Sequence, residues 1–197
     1  MSIKQTIKYL LGWVQCVRFG VADCGKGVYV GLGVKVDGGR RVHLSDNSCL
    51  MPSSMVVAHA GGHVYLGSHS EIGMYSRVAS VGEVHIGDDV ITGPHVFIAD
   101  YNHEYADPEL PIRLQGNRIV KTSDFPRGVS IGDGSWIGTN AVIAGSVKVG
   151  KHCVIGANSA VTKDIPDYSA AVGSPARVVK CYDSELCQWV DAAARGR

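Results

Sequence analysis

The chain has 197 residues, 45% of them hydrophobic, and its 19 Lys and Arg against 18 Asp and Glu give a formal net charge of +1. That length and composition fit one domain with a real core. Near-neutrality leaves no electrostatic footprint for nucleic acid, and no apolar run approaches the roughly 18–20 residues of a membrane span.

Six cysteines (Cys16, Cys24, Cys49, Cys153, Cys181 and Cys187) include no C-x-x-C pair and no metal-ligand spacing. With no cleavage-site pattern at the amino terminus, a reducing cytoplasm is the expected location.

Residues 1–27 read as a helix and cap. From Ser2 to about Phe19 the pattern is amphipathic, with Ile3, Ile7, Leu10, Leu11 and Val14 on one face. Ser2 and Gln5 have the spacing of a capping box. The helix is expected to cover the open end of a repeat array, which otherwise exposes core and strand edges. The alternative is a foothold on the inner, anionic face of a membrane, since Lys4, Lys8 and Arg18 flank the apolar residues.

From residue 28 to 166 a period of six takes over. Aliphatic leaders fall at Val30, Val36, Leu44, Leu50, Val56, Leu66, Ile72, Val78, Ile86 and Ile98, with Thr92 in the same phase. They resume at Ile131, Ile137, Ile143, Val149, Ile155 and Val161. Two residues before each leader stands Val, Ser, Ala or Cys; Cys153 holds such a place, which suits a packing role. A period of six fits neither a helix nor a plain amphipathic strand. It fits a parallel β-helix, an all-β architecture of short strands joined at tight corners.

The gaps longer than six are themselves periodic. They follow Val36, Val56, Val78 and Ile98, always three leaders apart. With three hexads to a triangular turn, every insertion leaves the prism at one corner. The longest spans about residues 100–127, DYNHEYADPELPIRLQGNRIVKTSDFPR. Pro108, Pro111 and Pro126 exclude regular helix or central strand through much of it, and a loop of this length is usually functional. Residues 167–197 read as an extended cover to Lys180, then a short helix from Asp183 to Arg195 with Leu186 and Val190 inward. Asp88, Asp89 and Asp133 sit at corners as turn formers.

The hexads, the single large loop with a histidine at its start, the run IGDGSWIGTNAVI and the closing GSPAR resemble the hexapeptide-repeat acyltransferases. Within them, DYNHEYADPELPI followed by Gln115-Gly116 is most similar to the O-acetyltransferases of bacterial surface polysaccharides. The resemblance covers roughly Val28 to Lys180. It implies a left-handed coil, a homotrimer, and acetyl-CoA as acyl donor.

It also implies roles. His103 matches the catalytic histidine, and imidazole is the side chain that exchanges a proton near neutral pH. Asp100 or Glu104 would orient that ring. Trp136 matches a tryptophan lining the donor channel, and Thr139 the position whose amide faces the thioester oxygen. Gly156 and Ala157 match amides along the pantetheine arm. Thr162, Lys163 and Arg177 match the nucleotide end, where a 3′-phosphate needs positive charge. Asn102, Tyr75 and Arg77 are expected on the acceptor side. In the maltose and galactoside acetyltransferases an asparagine precedes the histidine by about thirty residues; here that neighbourhood reads MYSRV.

No metal is expected. The pairs His59 and His63, or His85 and His95, invite comparison with the β-helical gamma-class carbonic anhydrases, but the paired spacing is absent. The expected activity is direct transfer of acetyl to a sugar hydroxyl of a glycan, a lipid-linked glycan or a precursor. The rivals are an acetyltransferase for a small molecule (an antibiotic, serine or an amino sugar) and a non-catalytic assembly subunit.

Overall fold

The computed structural model describes residues 3–118 and 128–194. Ser2 of the capping box, Pro126 and Arg127 at the end of the loop, and Arg195 lie outside the described residues.

Three walls of short parallel strands form a prism. The first wall stacks Asp23–Cys24, Val42–Leu44, His63–Leu66, Glu83–Ile86, Gly128–Ile131 and Val147–Val149. The second begins Tyr29–Val30, Cys49–Leu50, Glu71–Ile72, Ile91–Thr92, Trp136–Ile137 and Val154–Ile155. The third contains Lys35–Asp37, Met55–Ala58, Arg77–Ser80, Phe97–Ala99, Val142–Ala144 and Ala160–Val161. The chain visits the walls in rotation, so this is the expected parallel β-helix. All four insertions fall between third and first walls. The coil starts at Asp23, paired with His43, five residues before the hydrophobic period shows.

Leaders stack on leaders. Leu44 lies over Leu66, Leu66 over Ile86, Ile86 over Ile131, and Ile131 over Val149. Nearly all are fully buried, and each contributes about 1.5–3 kcal/mol by leaving water. Thr92 is tolerated inside because its Oγ1 accepts from the Gly73 amide at 2.8 Å and donates to the Glu71 carbonyl at 3.1 Å.

The small position two before each leader does more than fit. Ser70 Oγ donates to the Gly87 carbonyl at 2.6 Å and accepts from the Val90 amide at 2.8 Å. Ser76 and Ser135 repeat this link to the next coil. Ser70→Ala leaves a buried amide unpaired. It is expected to cost about 1–3 kcal/mol, read as a lower urea midpoint at unchanged slope.

Helix α1, Ile3–Phe19, lies on the first coil as a cap, but not by the expected face. Among the residues whose side chains are described, Gly12 and Cys16 are buried, whereas Ile7, Leu10, Leu11 and Val14 are exposed. The side chain of Ile3 lies outside the described residues. Close approach decides the orientation: a Cβ on Gly12 would sit 2.0 Å from the Val28 carbonyl oxygen, so the helix meets the coil where it has no side chain. Burial pushes the Cys16 thiol up, helped by its hydrogen bond with Cys24. No described helix is long and apolar enough to cross a membrane.

The other end corrects a second expectation. Ser169–Gly173 adds a rung to the second wall, and Ala176–Asp183 and Gln188–Asp191 follow it antiparallel. Among the described residues no helix follows Asp183; only a 3₁₀ turn at Ala192–Ala194 lies in the expected span. Asp183 Oδ1 accepts from the amides of Glu185 and Leu186 at 2.9 and 3.0 Å, closing a hairpin turn instead of starting a helix. Leu186 is exposed at the tip and Val190 half-buried on the returning strand. The pairing of Tyr182 with Trp189, ring edge to face at 5.8 Å, favours the strands.

Candidate active site

The long loop leaves the third wall after Ala99, and its root is tied down by the shorter corner of the coil before it. Asp100 is wholly buried. Its carboxylate accepts from Ser80 Oγ at 2.7 Å and from the amides of Val81 and Gly82 at 2.9 and 2.8 Å. Asp100 was expected to orient His103; its hydrogen bonds show instead an anchor for the loop.

Tyr101 follows, packed against Val57, Ala79 and Ala99. Its hydroxyl is 3.2 Å from His59 Nε2. Asn102–His103 then pairs antiparallel with Asn117–Arg118, so both ends of the described loop are closed by a short ladder. The His103 ring is exposed and meets Tyr101 edge to face, with centroids 6.4 Å apart. Residues two apart on an extended segment share a side, which is the signal in YNH that would have drawn attention to Tyr101. His59 gave no such signal.

Glu104 is also committed elsewhere. Its Oε1 accepts from the amides of Tyr105 and Ala106 at 2.9 and 3.1 Å, and Oε2 lies 3.9 Å from Arg118 Nε. Gln115, at the end of α2 (Ile112–Gln115), binds the loop to itself through Asp107 and the Leu110 carbonyl. Tyr105, Leu110, Ile112 and Leu114 remain exposed on it.

A second group gathers along the second wall and the edge it shares with the third. Trp136 projects outward between Ile91 and Val154 in register, 55% exposed. Thr139 and Ala157 occupy the same corner of consecutive coils: a Cβ on Gly138 would lie 2.6 Å from the Ala157 amide nitrogen. The Thr139 carbonyl accepts from the Asn158 amide at 3.0 Å. Gly156 donates its amide to the Ala171 carbonyl at 2.9 Å. In the same column Tyr75, His95, Asn140 and Asn158 all turn the chain with φ of 58–59°. The Tyr75 and His95 rings stack at 5.1 Å, and Asn140 Nδ2 donates to Asn158 Oδ1 at 2.7 Å. Arg77 faces out on the third wall between Met55 and Phe97.

A third group closes the last coil. Lys163, Asp164 and Arg177 line a hollow of about 310 Å³, with Thr162 exposed beside it. Asp164 uses one oxygen to accept from the Lys148 amide at 2.8 Å.

Within one chain the second group stays apart from the other two. His103 and Lys163 lie on the edge between third and first walls; Thr139 and Ala157 lie on the opposite edge of the third wall. Strands of two to four residues there put the edges on the order of 10 Å apart.

Among the described residues no group of three or more His, Cys, Asp or Glu is arranged to hold a metal ion. His63 and His85 stand in an aromatic column on the first wall, where His43, Tyr65 and His85 stack at 4.5 and 4.3 Å.

The profile of the bacterial transferase hexapeptide (six repeats) family matches residues 128–163. A candidate acetyltransferase of Mycobacterium tuberculosis is 31% identical over 95% of this chain, which spans 61% of that protein's length. A candidate lipopolysaccharide biosynthesis O-acetyl transferase of Escherichia coli is 30% identical over 68% of this chain and 69% of its own. Among solved structures, an N-acyltransferase from Bacillus cereus superposes with a TM-score of 0.73 at 17% identity, covering 88% of this chain and 91% of that one. The E. coli relative, 30% identical and matched over 69% of its length, shows the family together with the hexapeptide profile: this chain belongs to the hexapeptide-repeat acyltransferases.

Proposed function

We propose that this chain transfers an acetyl group from acetyl-CoA to a sugar hydroxyl in surface-polysaccharide biosynthesis, in the cytoplasm, as a homotrimer with its sites between neighbouring copies. The observation that carries the reading is an exposed imidazole fixed at the root of the one long loop. The exposed apolar side chains of that loop suit a neighbouring copy. A second copy would also bring the Trp136 and Thr139 edge to His103, which one chain does not do.

In this reading His103 takes the proton of the acceptor hydroxyl as its oxygen attacks the thioester carbonyl. The Thr139 amide stabilises the developing oxyanion. The carbon–sulfur bond then breaks, and the thiolate recovers the proton from the imidazolium. Direct transfer is supported by the chemistry of Cys153: burial pushes its thiol up, which makes it a poor acyl carrier. A sugar-nucleotide acceptor level is supported by the B. cereus enzyme, a mutant of which was solved with dTDP-4-amino-4,6-dideoxyglucose and coenzyme A. Asn102, Tyr75 and Arg77 are exposed and remain the proposed acceptor contacts.

The test is release of free thiol from acetyl-CoA in the presence of glycan and amino-sugar acceptors. Turnover with hydroxyl acceptors supports the reading; turnover with amines alone overturns it. A further prediction concerns the hollow at the last coil. Lys163→Ala and Arg177→Ala are each expected to raise KM for acetyl-CoA about tenfold, the worth of a charge-assisted phosphate contact. KM for the acetyl thioester of dephospho-CoA should stay as it is in the unaltered protein.

A further inference from the structure

Helix α1 is attached by a narrow side and shows its broad side to solvent. Gly12 and Cys16 meet the first coil, while Ile7, Leu10, Leu11, Trp13, Val14 and Val17 are all exposed. At 3.6 residues per turn these six cover an arc of about 160°, centred nearly opposite the packed side. Among the described residues nothing covers the stripe. Leu32, 89% exposed at the neighbouring corner, extends the apolar surface; a groove of about 390 Å³ between it and the helix is lined by Ile7, Leu11 and Gln15.

Charge identifies the occupant. The helix contains no Asp or Glu, and its sequence includes Lys4, Lys8 and Arg18. Residues 1–50 carry seven basic side chains against three acidic ones, whereas the rest of the chain carries twelve against fifteen. The positive charge is therefore concentrated at this end. A second copy of the helix would meet the stripe with like charge and no carboxylate to pair with it. A layer of lipid phosphates over an apolar interior matches both the cations and the stripe.

We propose that the exposed face of α1 docks this chain on an anionic bilayer, lying in the headgroup plane with the prism standing off the surface. The proposal is independent of the catalytic reading, because it uses none of the residues assigned there.

The experiment is co-sedimentation of the full chain with vesicles of phosphatidylcholine alone and of equimolar phosphatidylcholine and phosphatidylglycerol. Expected is binding to the anionic vesicles that weakens as salt rises. It should fall at least about tenfold in Leu10→Gln/Val17→Gln, which removes two apolar side chains from the contact. The same variant should keep its melting temperature and its acetyl-transfer rate. Failure of the unaltered chain to sediment with anionic vesicles overturns the proposal. So does a double variant whose assembly mass changes in light scattering, since that outcome buries the stripe between copies.

Discussion

His103→Ala is expected to lower kcat for acetyl transfer by about 10²–10⁴-fold, the range over which a positioned general base contributes. That corresponds to about 3–5.5 kcal/mol of barrier. The ring is exposed on a two-residue strand, and its backbone pairing with Asn117 does not use the side chain. Stability should therefore move by no more than about 0.5 kcal/mol, and the thermal melt serves as the control. A co-expression experiment sharpens the result. His103→Ala chains and Trp136→Ala chains should each be poor enzymes, yet mixed assemblies should exceed the sum of the two. Such recovery follows only when one site draws His103 and Trp136 from different copies, as the proposed arrangement between neighbouring copies holds. Near-normal turnover by His103→Ala removes the proposed base.

The repeat was legible because its cause is local. A side chain that points inward every six residues is nearly always aliphatic, so Ile131, Ile137, Ile143 and Ile155 declare themselves without reference to anything distant. The common corner of the insertions was legible for the same reason: once three hexads close a turn, the gaps after Val36, Val56, Val78 and Ile98 share an edge. What escaped depended on partners far along the chain. The seating of α1 is set by one glycine against the Val28 carbonyl, and a hydrophobic-face argument counts Gly12 as nothing. The terminal hairpin wins over a helix because Tyr182 and Trp189 find each other across it and Ala176–Asp183 already has Ser169–Gly173 to pair with. For the site, the position of His103 at the loop root was readable; its neighbours Tyr101 and His59 were not, since His59 lies 42 residues earlier than the tyrosine whose hydroxyl it meets.

Asp100→Ala should show how the loop root depends on the coil beneath it. Three donors converge on this carboxylate, one hydroxyl and two backbone amides, in a place closed to water. The hydroxyl of Ser80 can turn to another acceptor, but the amides of Val81 and Gly82 are fixed by the backbone. Each amide left unpaired costs about 1–3 kcal/mol, so a loss of about 3–5 kcal/mol is expected, large beside the 5–15 kcal/mol that holds a domain together. Asp100→Asn should recover part of it, because its carbonyl oxygen can still accept while its amide group faces a donor. The catalytic signature separates anchoring from chemistry. An anchor three residues from His103 lets the loop drift, so Asp100→Asn should raise KM for the acceptor and lower kcat together, with the pH dependence of kcat retained. A residue paired to the imidazole would instead shift that pH profile while leaving the melt nearly untouched, and this outcome would return Asp100 to the role its hydrogen bonds argue against.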